Sequence, residues 1–287
     1  MTTAVSTTDF AFISDLVRAR SGIVIGPDKV YLVTSRLLPL ARQQGVSSIA
    51  ALVALMRDPV EERLRVAVVE AMTTNETSWY RDVHPFTVLS QHVIPEVTKR
   101  RFDRRLTIWS AACSTGQEPY TIAMSSLDNP ALADWQVSIV ATDISEDVLT
   151  KARTGRYTQL ETNRGLPAAA LVKYFERVGM DWQIKPVVRN MVDFRQLNLG
   201  NPLPSMPLFD VVFLRNVLIY FDTEMKQRVL RRVRQVLRPG GFLFLGAAET
   251  TLGLDDTFTR VQFGPAMVYR RESQDAAEAS GSFVCSR

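Results

Sequence analysis

Leu106-Thr-Ile-Trp109 is an apolar run of strand-forming residues, and it passes directly into Ser110-Ala-Ala-Cys-Ser-Thr-Gly116, a stretch of small side chains. Behind it a helix opens at Glu118-Pro119, where proline in the first turn costs no hydrogen bond. A buried strand, a small-residue loop and a helix, in that order, begin a βαβ unit. The same grammar continues outward. Val137-Ser-Ile-Val-Ala-Thr142 is a second strand, closed by Asp143 and followed by a helix over 145–152. Phe209-Asp-Val-Val-Phe-Leu214 is a third. A basic amphipathic helix over 223–237, stopped by Pro239-Gly240-Gly241, leads to Phe242-Leu-Phe-Leu245. Strands alternating with helices predict a mostly parallel sheet with right-handed crossovers.

The flanks follow other periods. From Asp9 to about Met72, apolar residues recur at helical spacing: Phe10, Ile13, Leu16 and Val17, then Leu37, Leu40 and Ala41. Leu52, Val53 and Met56 repeat it, as do Leu64, Val68 and Ala71, with glycine and proline breaks between. Four or so helices are expected, in a helical domain over 1–84, with the α/β domain over 85–271. Between Lys173 and Phe194 the alternation fails. Trp182–Arg189 and Met191–Phe194 read as short strands, so about 173–194 is expected to be a small antiparallel insertion. The tail, 272–287, is rich in Ser, Ala, Gly and charge and is expected to be disordered.

Composition narrows the function classes. With 46% hydrophobic and 22% charged residues, the 287-residue chain suits a soluble protein with a substantial core. No apolar run is long enough to span a bilayer, and Met1–Thr8 lacks a secretion signal, so a cytoplasmic location without membrane insertion is expected. Only two histidines, His84 and His92, and two distant cysteines, Cys113 and Cys285, offer neither metal-ligand spacing nor a histidine-based triad; no metal is expected. The net charge of +4 fits an acidic partner without choosing among nucleic acid, membrane surface and anionic protein. The densest basic run, Lys99, Arg100, Arg101, Arg104 and Arg105, reads as a solvated helix end.

In an open parallel sheet the ligand sits beyond the carboxyl ends of the strands. Three such ends carry suggestive groups. The loop over 110–116 lets backbone approach a cofactor closely. Asp143 is placed either to hold a ribose diol or to cap the helix that follows. Arg215-Asn216 follows the Phe209–Leu214 strand. Combined with Phe209-Asp-Val-Val212 and Leu237-Arg-Pro-Gly-Gly241, these resemble the layout of S-adenosylmethionine methyltransferases.

Longer stretches sharpen that. Asn75-Glu-Thr-Ser-Trp-Tyr-Arg-Asp82, Trp109-Ser-Ala-Ala-Cys-Ser-Thr-Gly-Gln-Glu-Pro-Tyr120, Ala141-Thr-Asp-Ile-Ser145 and Arg215-Asn-Val-Leu-Ile-Tyr-Phe-Asp222 closely resemble motifs of CheR-type chemotaxis receptor methyltransferases. The resemblance runs in order to about Arg271. It implies an α/β fold: a Rossmann-like S-adenosylmethionine methyltransferase domain with an N-terminal helical domain and a small antiparallel β insertion. It implies methyl transfer from S-adenosylmethionine to glutamate side chains on the cytoplasmic helical bundle of chemotaxis receptors. By position, Asn75, Thr77 and Arg81 match cofactor-contacting residues, and Glu118 the acid facing the methionyl end. Asp143 matches the ribose-binding acid, while Asn198, Leu199, Arg215 and Asn216 match residues lining the adenine side and cleft. Arg81 and Tyr220 are expected to orient the substrate carboxylate. The turn at Val178-Gly-Met-Asp181 is shorter than in members that bind a receptor tail peptide, so action without a tether is expected; a monomer is expected as well. Competing readings are an RNA methyltransferase, disfavoured by few aromatics in the helical domain, and a non-catalytic cofactor-binding adaptor.

Overall fold

The computed structural model describes residues 5–58 and 60–272, and the expectation for the tail beyond Glu272 lies outside the described residues. The chain divides into two compact units. One comprises the helical region up to Thr74 together with Asn198–Asn201 and Tyr220–Lys226; the other takes the remainder from Asn75 onward.

Among the described residues, four α-helices build the first unit, as the periodicity predicts: α1 (Thr7–Ser21), α2 (Val30–Gln43), α3 (Ile49–Met56) and α4 (Glu62–Ala71). Ser6 caps α1 by accepting the Asp9 N–H at 3.1 Å, and Ser48 caps α3 by accepting the Ala51 N–H at 3.1 Å. Such caps satisfy donors that a helix start leaves open. Gly22 ends α1 at φ 77°, a conformation glycine adopts without penalty. Ile13, Val17, Val33, Leu37, Leu52, Val53, Met56 and Val68 are buried, so each helix contributes its apolar stripe. Arg36 donates to the carbonyls of Met72 (2.7 Å) and Thr73 (2.9 Å), closing the end of α4. The two returning segments are stitched in by backbone. The Val24 N–H donates to the Tyr220 carbonyl at 2.9 Å, and Ile23 bridges Phe221.

The second unit is an α/β sheet. Its strands are β1 (Arg105–Ala111), β2 (Gln136–Asp143), β6 (Val192–Gln196), β7 (Phe209–Leu214), β8 (Leu237–Leu245), β9 (Phe258–Phe263) and β10 (Ala266–Arg271), in the order β6-β2-β1-β7-β8-β10-β9. All neighbours from β6 to β8 are parallel, whereas β10 runs antiparallel to both β8 and β9. Every residue of β7 is buried, as expected for a parallel strand covered on both faces. Phe213 and Phe244 stack across β7 and β8 with ring centroids 4.4 Å apart. The chain steps from β1 outward to β2 and later returns to its other side as β7, so the sheet's switch point lies at β1.

A separate three-stranded antiparallel sheet, in the order β3-β5-β4, joins β3 (Arg156–Tyr157), β4 (Phe175–Val178) and β5 (Asp181–Ile184). The small antiparallel sheet therefore exists, with different membership from the sequence reading. It recruits Arg156–Tyr157, while Pro186–Arg189 is a short helix and Val192–Gln196 is the parallel edge of the main sheet. Asn75–His84, read from the sequence with the helical domain, packs in the α/β unit. Pro239-Gly240-Gly241 also differs from expectation. The helix Thr223–Val236 gives way at once to β8, where Leu237 pairs with Phe209 and Phe242 with Val211, so these residues form a bulge within the strand.

Candidate functional site

The loop after β1 carries unusual backbone. Ala112 (φ 58°), Ser114 (φ 52°) and Gly116 (φ 92°) all occupy the left-handed region. Outside glycine that conformation costs about 1–2 kcal/mol per residue. Tyr80, Asp82, Val83 and Asn216 share it, so among the described residues six of the seven non-glycine outliers, all but Arg104, flank the carboxyl ends of β1 and β7. Strain of this kind persists only where surrounding bonds impose it. The bonds are present. The Cys113 N–H donates to the Thr142 carbonyl at 2.9 Å, and the Ser114 N–H donates to Asp143 Oδ2 at 2.8 Å. Ser114 Oγ donates to the Asn75 carbonyl and Tyr157 OH to the Thr115 carbonyl, at 2.8 and 2.7 Å. Gly116 leaves little room for a side chain: a Cβ there would lie 3.0 Å from Ala152 Cβ and 3.1 Å from the Tyr157 hydroxyl, so these neighbours would have to yield.

Asp143 ends β2 and is buried. Its Oδ1 accepts the Ser145 N–H at 3.1 Å, so it opens the next helix while its other oxygen clamps the β1 loop. Burial pushes its carboxyl above the usual range, and the amides of Ser145, Ser114 and Ile144 pull it back. Three amides leave one of the carboxylate's four lone-pair sites open. The cap and the diol acceptor, alternatives in the sequence, are compatible in one side chain.

Arg215, after β7, is the hub of the site. Its side chain is 1% exposed and donates to Glu118 Oε2 (2.9 Å), Asp82 Oδ2 (2.6 Å) and the Arg81 carbonyl (2.9 Å). The guanidinium also lies over the Phe86 ring at 5.7 Å. Glu118, from the helix Gln117–Leu127, accepts Ser110 Oγ at 2.8 Å through its other oxygen. Its side chain is 12% exposed. Burial raises its pKa above the usual glutamate value, opposed by the charge of Arg215, the hydrogen bonds of Ser110 and Arg215, and the charge of Arg81. Arg81 itself donates to the Glu76 carbonyl at 3.0 Å from a half-buried position. Arg81, Glu118 and Arg215 thus converge, with Asn75 tied to the neighbouring loop; Thr77 is half-buried.

Several determinants carried no flag in the sequence. Glu249 gathers the loops after β7 and β8: its carboxylate accepts the N–H groups of Asn216 (2.8 Å), Val217 (2.9 Å), Gly246 (2.7 Å) and Ile219 (3.3 Å). Its signal was an acid four residues beyond an apolar strand, in Leu245-Gly-Ala-Ala-Glu249. Trp79 anchors the Asn75–Asp82 segment to the small sheet. Its ring meets Tyr157 and Phe175 edge-on at 4.9 and 5.4 Å, and its carbonyl lies where a Cβ on Gly165 would approach to 2.3 Å. The remaining expected residues lie in the helical unit. There Asn198 donates to the Arg20 carbonyl and accepts the Gly200 N–H at 2.8 Å, Leu199 is buried, and Tyr220 is half-buried.

A parallel sheet whose switch point carries a small-residue loop, with acids at the adjoining ends, defines a Rossmann-like S-adenosylmethionine methyltransferase domain. The chain belongs to the CheR methyltransferase family: residues 8–73 match its all-alpha domain and residues 75–266 its SAM binding domain. It is 46% identical over 267 residues to chemotaxis protein methyltransferase 1 of Pseudomonas aeruginosa, covering 91% of this chain and 97% of that one. Chemotaxis protein methyltransferase Cher2 of Pseudomonas putida is 44% identical with the same coverage. The Escherichia coli chemotaxis protein methyltransferase is 35% identical, with 89% of each chain covered.

Proposed function

We propose that this enzyme transfers a methyl group from S-adenosylmethionine to glutamate side chains of chemotaxis receptors, forming methyl esters. The observation that carries the reading is a pair of little-exposed carboxylates beyond neighbouring strands, Glu118 in the helix that follows β1 and Asp143 at the end of β2. Acceptors held in so little water suit a ligand that brings an ammonium, a sulfonium and a ribose diol. Glu118 would hold the methionyl end and Asp143 the ribose hydroxyls, with Asn75, Thr77, Asn198, Leu199, Arg215 and Asn216 completing the cofactor's surroundings. The cofactor supplies a methyl on a sulfonium, whose departure leaves a neutral thioether.

A receptor glutamate, with an unperturbed pKa of about 4.3, is already ionised at neutral pH and needs no general base. The chain's own residues have only to strip water from that carboxylate and align it. Alignment of this kind lowers barriers by about 7–11 kcal/mol in the best cases. Arg81 and Tyr220 would orient the carboxylate, Arg81 gripping mainly the oxygen that does not attack, since a bidentate pair would drain charge from the nucleophile. Hydrogen bonds from Arg215 and Arg81 through their segment would keep that fork in place.

The partner we propose is the glutamate-rich cytoplasmic bundle of the receptor, met by a monomer. Among the described residues, no helix is long and apolar enough to cross a membrane. The β4–β5 connection is a tight turn, Val178 pairing directly with Asp181 around Gly179-Met180, which supports action without a receptor tail tether. Labelled cofactor incubated with receptor-containing membranes should yield a base-labile methyl ester, and total RNA should remain unlabelled. Arg81→Ala should lower kcat far more than cofactor affinity. Transfer to RNA instead, or near-normal turnover in Arg81→Ala, would overturn the assignment, and micromolar binding of a receptor tail peptide would overturn tether independence.

A further inference from the structure

Beyond this activity, we infer that the turn joining the helix Ile94–Thr98 to β1 is a docking element for anionic lipid headgroups. Phe102 sits at its tip with 96% of its surface exposed, the most exposed large hydrophobic side chain among the described residues. Lys99, Arg100, Arg101, Arg104 and Arg105 flank it.

The turn is built rather than loose. Arg101 grips Asp103 with two bonds (2.9 and 2.8 Å) and reaches the buried Asp210 at 2.8 Å, whose other oxygen accepts from Thr107. Arg104 adopts φ 51°, and its carbonyl accepts the Gln136 N–H at 2.9 Å. A strained, doubly clamped turn thus holds a bare aromatic ring outward. Hydrophobic residues are commonly exposed one at a time, but this one is surrounded by charge. Arg238, 3.4 Å from Asp210, and Arg270, 3.2 Å from Glu96, extend the cationic patch. Seven cations stand against four carboxylates, Glu96, Asp103, Asp134 and Asp210, and no carboxylate among the described residues pairs with the side chains of Lys99 or Arg105.

The solvated helix end accounts for Lys99 and Arg100, the latter paired with Glu96 one turn back. It does not account for the aromatic tip or for the cations beyond it. A protruding ring within a cationic collar needs no pocket in its partner when it enters a headgroup layer, whereas a protein partner would have to supply one. The placement suits an enzyme that must stay productive while docked. The turn precedes the first residue of β1 and the candidate site follows the last, so the length of the strand, about 20 Å, separates them. Superficial adsorption of this kind requires no membrane-spanning segment.

The test is co-sedimentation of the full chain with phosphatidylcholine vesicles, with and without one-third phosphatidylglycerol, at low and high salt. Binding is expected only to the anionic vesicles and should fall as salt rises. Phe102→Ser should weaken it about tenfold, and Arg104→Glu with Arg105→Glu more than about thirtyfold. Cofactor affinity should be unchanged in both, which also confirms folding. Arg42→Glu with Arg63→Glu, in the helical unit, is the comparison for general basicity and should bind as wild type. Equal binding to neutral vesicles, undiminished binding by the turn variants, or an equal loss in the helical-unit variant would each overturn the inference. So would turn variants that bind vesicles normally but lose affinity for a soluble receptor fragment, which would assign the patch to an acidic protein.

Discussion

Arg215→Met tests the hub most directly. The substitution keeps an unbranched side chain of similar reach over Phe86 and removes the charge. It strands Glu118, whose remaining hydrogen-bond donor among the described residues is Ser110 Oγ, in a site where burial already raises its pKa. Removing one member of a buried ion pair costs about 3–5 kcal/mol. The Asp82 contact adds little, because that side chain is 44% exposed and solvent screens it. A loss of about 3–4 kcal/mol is expected, or roughly 6–16 °C in the melting temperature of a unit this size. All four tryptophans, Trp79, Trp109, Trp135 and Trp182, lie in the α/β unit, so urea unfolding followed by tryptophan fluorescence reads that unit alone. Adding Glu118→Gln should recover part of the loss, giving a coupling energy above about 1 kcal/mol. A single-variant loss below about 1 kcal/mol, or additivity in the double variant, would refute the hub.

Glu118→Gln should also change the pH response. Burial raises the folded pKa of Glu118, so its contribution to stability is fullest below the unfolded value and fades as pH rises through the folded one; the variant should lack that slope in pH-dependent unfolding. Cofactor affinity, if it uses the ionised form, should weaken on acidification at a higher pH than an ordinary glutamate would dictate, and calorimetry across mildly acidic pH would show it. Gly116→Ala should destabilise by about 1–3 kcal/mol, from a left-handed backbone and a crowded Cβ, measured by the same fluorescence. Glu249→Ala leaves four backbone donors to find water and should cost about 2–3 kcal/mol while raising the cofactor KM; unchanged stability would remove its organising role.

What the sequence made legible was whatever repeats locally. The helical stripes through Ile13, Leu37, Leu52 and Val68, and the apolar runs of β1, β2 and β7, announce themselves because burial selects residues at fixed spacing. Asp143 was legible by its place after a strand. Features that depend on distant partners were not. Arg215 was marked by its place after a strand, but its burial was not: the residue type is normally at the surface, and it is buried because Glu118 and Asp82, 97 and 133 residues earlier, neutralise it. A two-residue strand such as Arg156–Tyr157 has no period to detect. Val192–Gln196 followed short strand-like segments, and only pairing with β2 distinguishes an edge of the main sheet from an insertion. The β9–β10 hairpin, with polar residues along β9, lacked the apolar signature that marked the central strands.

The helical unit is not contiguous in the chain. It recruits Asn198–Asn201 and Tyr220–Lys226, with Arg18 pairing Asp222 at 2.7 Å and Asn198 donating to the carbonyl at the end of α1. A fragment ending at Thr74 would therefore leave a strand-like edge at Ile23–Val24 and a helix terminus without partners. The bundle cannot be transplanted as a cassette, and any scheme that reassorts it with another catalytic half must carry three pieces of polypeptide together.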